Sequence, residues 1–149
     1  MAGAWSACCT TTCPGSTPPQ SGERLGPSDL DALRALYAED PPAFFLPSQL
    51  RDGVYFGVRE GTALVAVAGT HVVSREASVA ALGNVHTRRD RRGRGLAMEV
   101  TGAVVRELRR RNTQTSVLNI VATNDVARRV YERVGFREYC VYDEGVATR

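Results

Sequence analysis

An abrupt change of apolar period constrains this chain most. Residues 54–58, 63–73 and 78–87 are close-set apolar runs rich in valine, separated by polar breaks at 59–62 and 74–76. From Leu96 onward the apolar residues recur every fourth position, as Leu96, Val100, Val104 and Leu108, with Ala97, Ala103 and Val105 widening the stripe. Strands expose alternate residues to opposite faces, whereas a helix repeats every 3.6. The chain therefore passes from strands to a long amphipathic helix across a short basic stretch, Arg88 to Gly95. Arg109, Arg110 and Arg111 close that helix where its dipole favours cations, and Asn112 is placed to cap it.

The same reading extends in both directions. Pro27-Ser28-Asp29 caps a first helix carrying Leu30, Leu33, Leu36 and Tyr37, which Pro41-Pro42 terminates. A short second helix is expected over 47–51. After the long helix, 117–122 is a compact apolar strand. Asn124 then caps a helix in which Val126, Val130 and Val134 form one face, flanked by Ala127 and Tyr131, with Gly135 as its left-handed stop. A last strand follows over 137–142. The predicted order is helix, three strands, helix, strand, helix, strand. Short turns make the first three strands antiparallel neighbours. A right-handed crossover through the long helix makes the third and fourth strands parallel. The expected class is α/β, or three-layer α+β, with a mixed and mostly antiparallel central sheet.

The chain has 149 residues, enough for one domain, which is expected over 23–149. Residues 1–22 are rich in Ser, Thr, Pro, Gly and Cys without periodicity, and are expected to be disordered. They carry no basic start followed by an apolar run, so a cytoplasmic location is expected. No apolar run nears the ~20 residues of a membrane span, and no membrane partner is expected. The net charge is +3 and every basic residue is arginine. That excess is too small to argue for nucleic acid. Nor do aromatic residues interleave the basic stretch between Thr87 and Asn112, as single-strand binding would require. Cys8, Cys9, Cys13 and Cys140 lack paired spacing, so neither a zinc site nor a disulfide framework is expected. Cys140, in an apolar segment, reads as a small buried side chain.

Two stretches carry chemistry. Arg92-Gly93-Arg94-Gly95-Leu96-Ala97 lies between strand and helix. Its glycines let a ligand approach the backbone, and the first N–H groups of the helix lack intrahelical partners. With the dipole and nearby guanidinium groups they suit a pyrophosphate. The stretch alone also fits a basic RNA-binding loop or a solvated turn. Downstream, Asn124, Ala127, Tyr131, Gly135 and Phe136 stand at fixed spacing on the second helix. Helix capping explains the asparagine and the glycine but does not demand the tyrosine.

Together these stretches resemble the GNAT superfamily of acetyl-CoA-dependent N-acetyltransferases, in a poorly characterised branch. Arg92, Gly95 and Ala97 meet its Arg/Gln-x-x-Gly-x-Gly/Ala signature. The five downstream residues meet its Asn-x-x-Ala-x-x-x-Tyr-x-x-x-Gly-Phe pattern. The resemblance implies a V-shaped splay between parallel strands 78–87 and 117–122, started by a bulge at Gly83, with acetyl-CoA lying in it. Val85, His86 and Thr87 would pair with the pantetheine arm. Arg92, Gly93, Arg94, Gly95, Leu96 and Ala97 would hold the pyrophosphate, and Asn124 and Tyr131 complete the cofactor site. Tyr131 would protonate the departing thiolate, since a phenol keeps its proton at neutral pH. Strand 78–87 holds no carboxylate to act as base. His86 is the local substitute, with a structural role equally open to it, and His71, Glu99 or a water relay are further options. The acceptor would be a small-molecule or peptide amine, without metal, and the protein a possible homodimer. Residues 43–49, with Phe44 and Phe45, read either as an acceptor wall or as core. The alternative is a GNAT-fold module that binds acetyl-CoA with weak or no transfer.

Overall fold

A computed structural model of the chain describes residues 4–11, 22–42 and 44–143. Eleven elements follow in order: β1 (Ala4–Thr11), β2 (Glu23–Leu25), α1 (Leu30–Tyr37), α2 (Ser48–Asp52), β3 (Tyr55–Glu60), β4 (Ala63–Ser74), β5 (Val79–Thr87), α3 (Leu96–Arg110), β6 (Thr115–Val121), α4 (Asp125–Val134) and β7 (Arg137–Asp143). The strands form one sheet in the order β2-β3-β4-β5-β6-β1-β7. Every neighbouring pair is antiparallel except β5 with β6, which run parallel across the α3 crossover. The mixed, mostly antiparallel sheet expected from the period change is therefore present.

The sheet separates two cores. Ala66 and Ala68 on β4, with Leu82 and Leu118, pack against Val100, Val104 and Leu108 of α3 and against Phe136. Val67, between those alanines, faces the opposite side. There Leu25, Leu33, Leu36 and Tyr55 bury the inner face of α1. Alternation along one strand thus feeds both layers. Each fully buried leucine contributes about 1.5–3 kcal/mol, so the Leu108 and Leu33 positions anchor α3 and α1.

Two expectations need correction. Ala4–Thr11 was expected to lie outside the fold, yet it forms a strand between β6 and β7, pairing Trp5 with Val121 on one side and Tyr142 on the other. β6 and β7 do not touch along their edges, and each would otherwise leave a row of unpaired amides and carbonyls. Trp, Cys and Thr suit a strand, but the Ser-, Pro- and Gly-rich composition of the longer segment hid them. Residues 1–3 and 12–21 of that segment, Cys13 among them, lie outside the described residues. The second correction is Cys140, which is exposed. β7 is the outermost strand, and residues 137–142 all present exposed side chains.

Candidate active site

The parallel ladder between β5 and β6 is short. It runs from Val79 opposite Thr115 to Leu82 opposite Leu118 and stops, while β5 continues to Thr87 and β6 to Val121. Beyond Leu82 each strand keeps its outer neighbour: β5 stays on β4, and β6 stays on β1. The inner edges of the two strands therefore part, and a cleft of about 910 Å³ opens between them. Ala81 to Val85 line one side, Val117 to Asn119 the other, and Tyr131 reaches it from α4. The Tyr131 ring meets Phe136 edge-on at 6.1 Å, and the residue is 9% exposed.

Two bulges shape the β5 wall. Val67 faces His86 and Gly69 faces Gly83, so Asn84 and Val85 together oppose Ala68. Thr70 faces Leu82 and Val72 faces Ala81, which leaves His71 as the extra residue on β4. Bulges re-aim side chains and break ladder pairing, often beside active sites. Asn84 takes a left-handed backbone at φ 53°, a conformation asparagine tolerates better than most residues. Its carbonyl accepts from the Tyr37 hydroxyl at 2.7 Å, and its amide donates to the Tyr55 oxygen at 2.8 Å and to Gln49 Oε1 at 3.1 Å. Burial raises the Tyr37 pKa far above the ordinary phenol value, with the nearby Tyr55 adding to it. Burial likewise pushes Tyr55 up to about 12, opposed in part by the Asn84 hydrogen bond. Both phenols thus keep their protons, and α1 and α2 are fastened to the bulge.

At the far end of β5 the basic stretch turns into α3. Gly93 and Gly95 hold φ values of 76° and 80°, which glycine adopts without a steric cost. Gly95 is the N-cap of α3, so the amides at its first turn point out of the helix. Arg92 Nε donates to the Thr87 carbonyl at 3.0 Å, tying the loop to the end of β5. Arg88 and Arg91 are engaged by Asp90 and Glu60; Arg92 and Arg94 are exposed, Arg94 lying 4.0 Å from Glu60. Asn124 caps α4, its Oδ1 accepting from the Ala127 amide at 3.1 Å, and Gly135 ends it at φ 108°. Among the described residues no three His, Cys, Asp or Glu side chains gather as a metal site requires. No helix among them is long and apolar enough to cross a membrane.

The FR47-like protein family model matches residues 55–144, from the start of β3 through β7. The chain belongs to the FR47-like family of the GNAT superfamily. A putative GNAT-family acetyltransferase from Novosphingobium aromaticivorans is similar at a TM-score of 0.84 and 26% identity, over 96% of this chain and 63% of that one. A GNAT-family acetyltransferase from Colwellia psychrerythraea is similar at a TM-score of 0.75 and 16% identity, over 95% of this chain and 54% of that one. This chain spans less than two thirds of either neighbour's length. A putative acetyltransferase from Agrobacterium tumefaciens, at a TM-score of 0.67 and 23% identity, is covered over 99% of its length by 87% of this chain. No curated protein matches the sequence.

Within this GNAT framework, Val85 and Tyr131 stand in the cleft, and residues 92–97 lie at the turn into α3. His86 does not line the cleft. It is 8% exposed, its ring packs edge-on against Tyr37 at 5.9 Å, and its Nε2 is buried without a hydrogen bond. Burial, then Arg92, lowers its pKa. His71 does line the cleft, as do Phe44, Phe45, Gln49 and Asn119. Glu99 is buried in the first turn of α3 and is not among the lining residues. The polar set Tyr37, Tyr55, Gln49 and Asn84 escaped the sequence reading. The adjacent Gly83-Asn84 pair, a common bulge and turn signal, was the available sign.

Proposed function

We propose that the chain moves an acetyl group from acetyl-CoA to a primary amine by direct attack in a ternary complex. The observation that carries this reading is the parting of β5 and β6 at Leu82 and Leu118. It frees one strand edge next to the α3 N-terminus and leaves a tyrosine across the gap. Residues 93–97 would hold the diphosphate on backbone amides, with Arg92 and Arg94 adding charge. The β5 edge around Val85, His86 and Thr87 would pair with the pantetheine amides like an added strand. The neutral amine attacks the thioester carbonyl. A backbone N–H of the bulge at Val85 would stabilise the oxyanion. The C–S bond breaks, and Tyr131 donates its phenolic proton to the leaving thiolate.

Titration calorimetry with acetyl-CoA and with CoA tests binding, and thiol release across a panel of amines tests transfer. Tyr131→Phe is expected to lower kcat about a hundredfold, at the lower end of what general acids supply, with acetyl-CoA affinity nearly unchanged. Absence of any CoA affinity would sink the reading. Binding without thiol release from any amine would leave a GNAT module that holds acetyl-CoA and transfers nothing.

A further inference from the structure

The cleft continues past the parted strands, and its outer half has a chemistry of its own. Pro42, Phe44, Phe45 and Leu46, from the connection between α1 and α2, line it together with Val72 of β4. Phe44 and Leu46 are 67% and 61% exposed, so apolar surface faces the open mouth. This wall is held in place: Gln49 Nε2 donates to the Phe44 carbonyl at 3.2 Å, and Gln49 Oε1 accepts from the Leu46 amide at 3.1 Å and from Asn84 at 3.1 Å. Among the described residues lining the cleft there is no aspartate, glutamate or arginine, and the ionisable ones are His71 and Tyr131.

His71 is the floor of this half. As the bulged residue of β4 it crosses above Gly83, where an added Cβ would lie 1.8 Å from its Nε2. The Phe44 ring stands edge-on to it at 6.4 Å. Its Nδ1 is buried without a hydrogen bond of good geometry. Burial lowers its pKa, and a backbone interaction with Phe44 opposes that only in part, so the ring is neutral and able to accept a proton.

Resting on the acetyl-transfer reading, we infer that this half of the cleft is the acceptor subsite, that it takes a primary monoamine carried on an apolar group, and that His71 receives the amine's proton. A second ammonium on the acceptor would be stripped of water with no carboxylate to replace it, and a free carboxylate would meet no cation. An apolar substituent instead covers Phe44, Leu46 and Val72. In the reaction the nitrogen lone pair forms the amide bond and the C–S bond breaks. The nitrogen's surplus proton goes to His71, the thiolate takes one from Tyr131, and water returns the proton from His71 to Tyr131.

The test uses the full chain saturated with CoA and three amines: 2-phenylethylamine, phenylalanine, which is the same molecule bearing a carboxylate, and spermidine. Calorimetry should show 2-phenylethylamine binding at least about tenfold more tightly than either other amine. Phe44→Asp should abolish that advantage and admit spermidine, with the heat of CoA binding reporting that the variant is folded. With acetyl-CoA, His71→Ala should lower kcat for 2-phenylethylamine about a hundredfold, and added imidazole should restore part of it. Equal or tighter binding of spermidine or phenylalanine overturns the subsite. So does loss of 2-phenylethylamine binding when octanoyl-CoA replaces CoA, which would place a long acyl chain on the wall. An unchanged kcat in His71→Ala overturns the proton assignment. Selective binding without thiol release would defeat the transfer reading and leave the subsite standing. Transfer to spermidine and 2-phenylethylamine alike would do the reverse.

Discussion

Asn84 shows how much one residue can hold. It sits at φ 53° in the β5 bulge, is 9% exposed, and joins Tyr37, Tyr55 and Gln49. Asn84→Ala removes the two amide donations and leaves in the left-handed region a residue without asparagine's local hydrogen bonding, which tolerates it less well. The lost hydrogen bonds to buried partners cost about 1–3 kcal/mol, and the backbone about 1 kcal/mol more. A melting temperature lower by several degrees is expected in calorimetry. Asn84→Gly keeps the backbone free and should fall about 1 kcal/mol less. Equal losses in the two variants would show that the conformation stores no strain. At this scale the sequence was partly legible. Asn124 caps α4 and Gly135 stops it in the left-handed region as their spacing implied, because caps and left-handed stops are local. His86 shows the limit: its side of β5 depends on the bulge at Asn84 and Val85, and sequence alternation alone does not place it.

Among the elements, α3 joins the two strands of the cleft and ends in a charged turn. Glu107 accepts from Arg110 at 2.8 Å and Arg111 at 2.7 Å, and lies 3.5 Å from Arg24 on β2. The Arg110 hydrogen bond, then Arg111, outweigh the opposing effect of burial and lower its pKa from 4.5 to about 2. A carboxylate with a depressed folded-state pKa stabilises fully above its unfolded value, and that contribution is lost as pH falls through the folded value. Glu107→Gln should therefore cost about 1 kcal/mol at pH 7, as for a well-made partly exposed ion pair. The difference from the parent should shrink between pH 4.5 and about 2. A melting difference that stays constant over this window would mean the Glu107 carboxylate charge contributes nothing. The helix and its basic terminus were legible from the four-residue period and from Arg109, Arg110 and Arg111. The partnership with Arg24 was not, because it joins positions 83 residues apart.

For the whole molecule, the decisive feature is the strand that the segment before residue 12 supplies to the far side of the sheet. β1 is central between β6 and β7, and β6 forms one wall of the cleft. A proline in its regularly paired part removes a ladder N–H in an interior strand, a change tolerated only at edges, strand starts and bulges. Ser6→Pro, placed where the register with β6 and β7 is regular, should lower the denaturant midpoint and weaken the proposed acetyl-CoA binding through β6, read by denaturant titration and calorimetry. An unchanged midpoint would show that β1 contributes nothing to the sheet. The sequence by itself determined the elements from residue 27 onward, the parallel crossover and the glycine turn into α3, since each follows from periodicity, capping or glycine geometry within a few residues. Tertiary structure alone decided that β1 fills the gap beside β6, that His71 rather than His86 faces the cleft, and that among the described residues lining the cleft none is aspartate, glutamate or arginine. Those outcomes depend on register and on packing between distant segments, where a shift of one residue turns a side chain to the other face of the sheet.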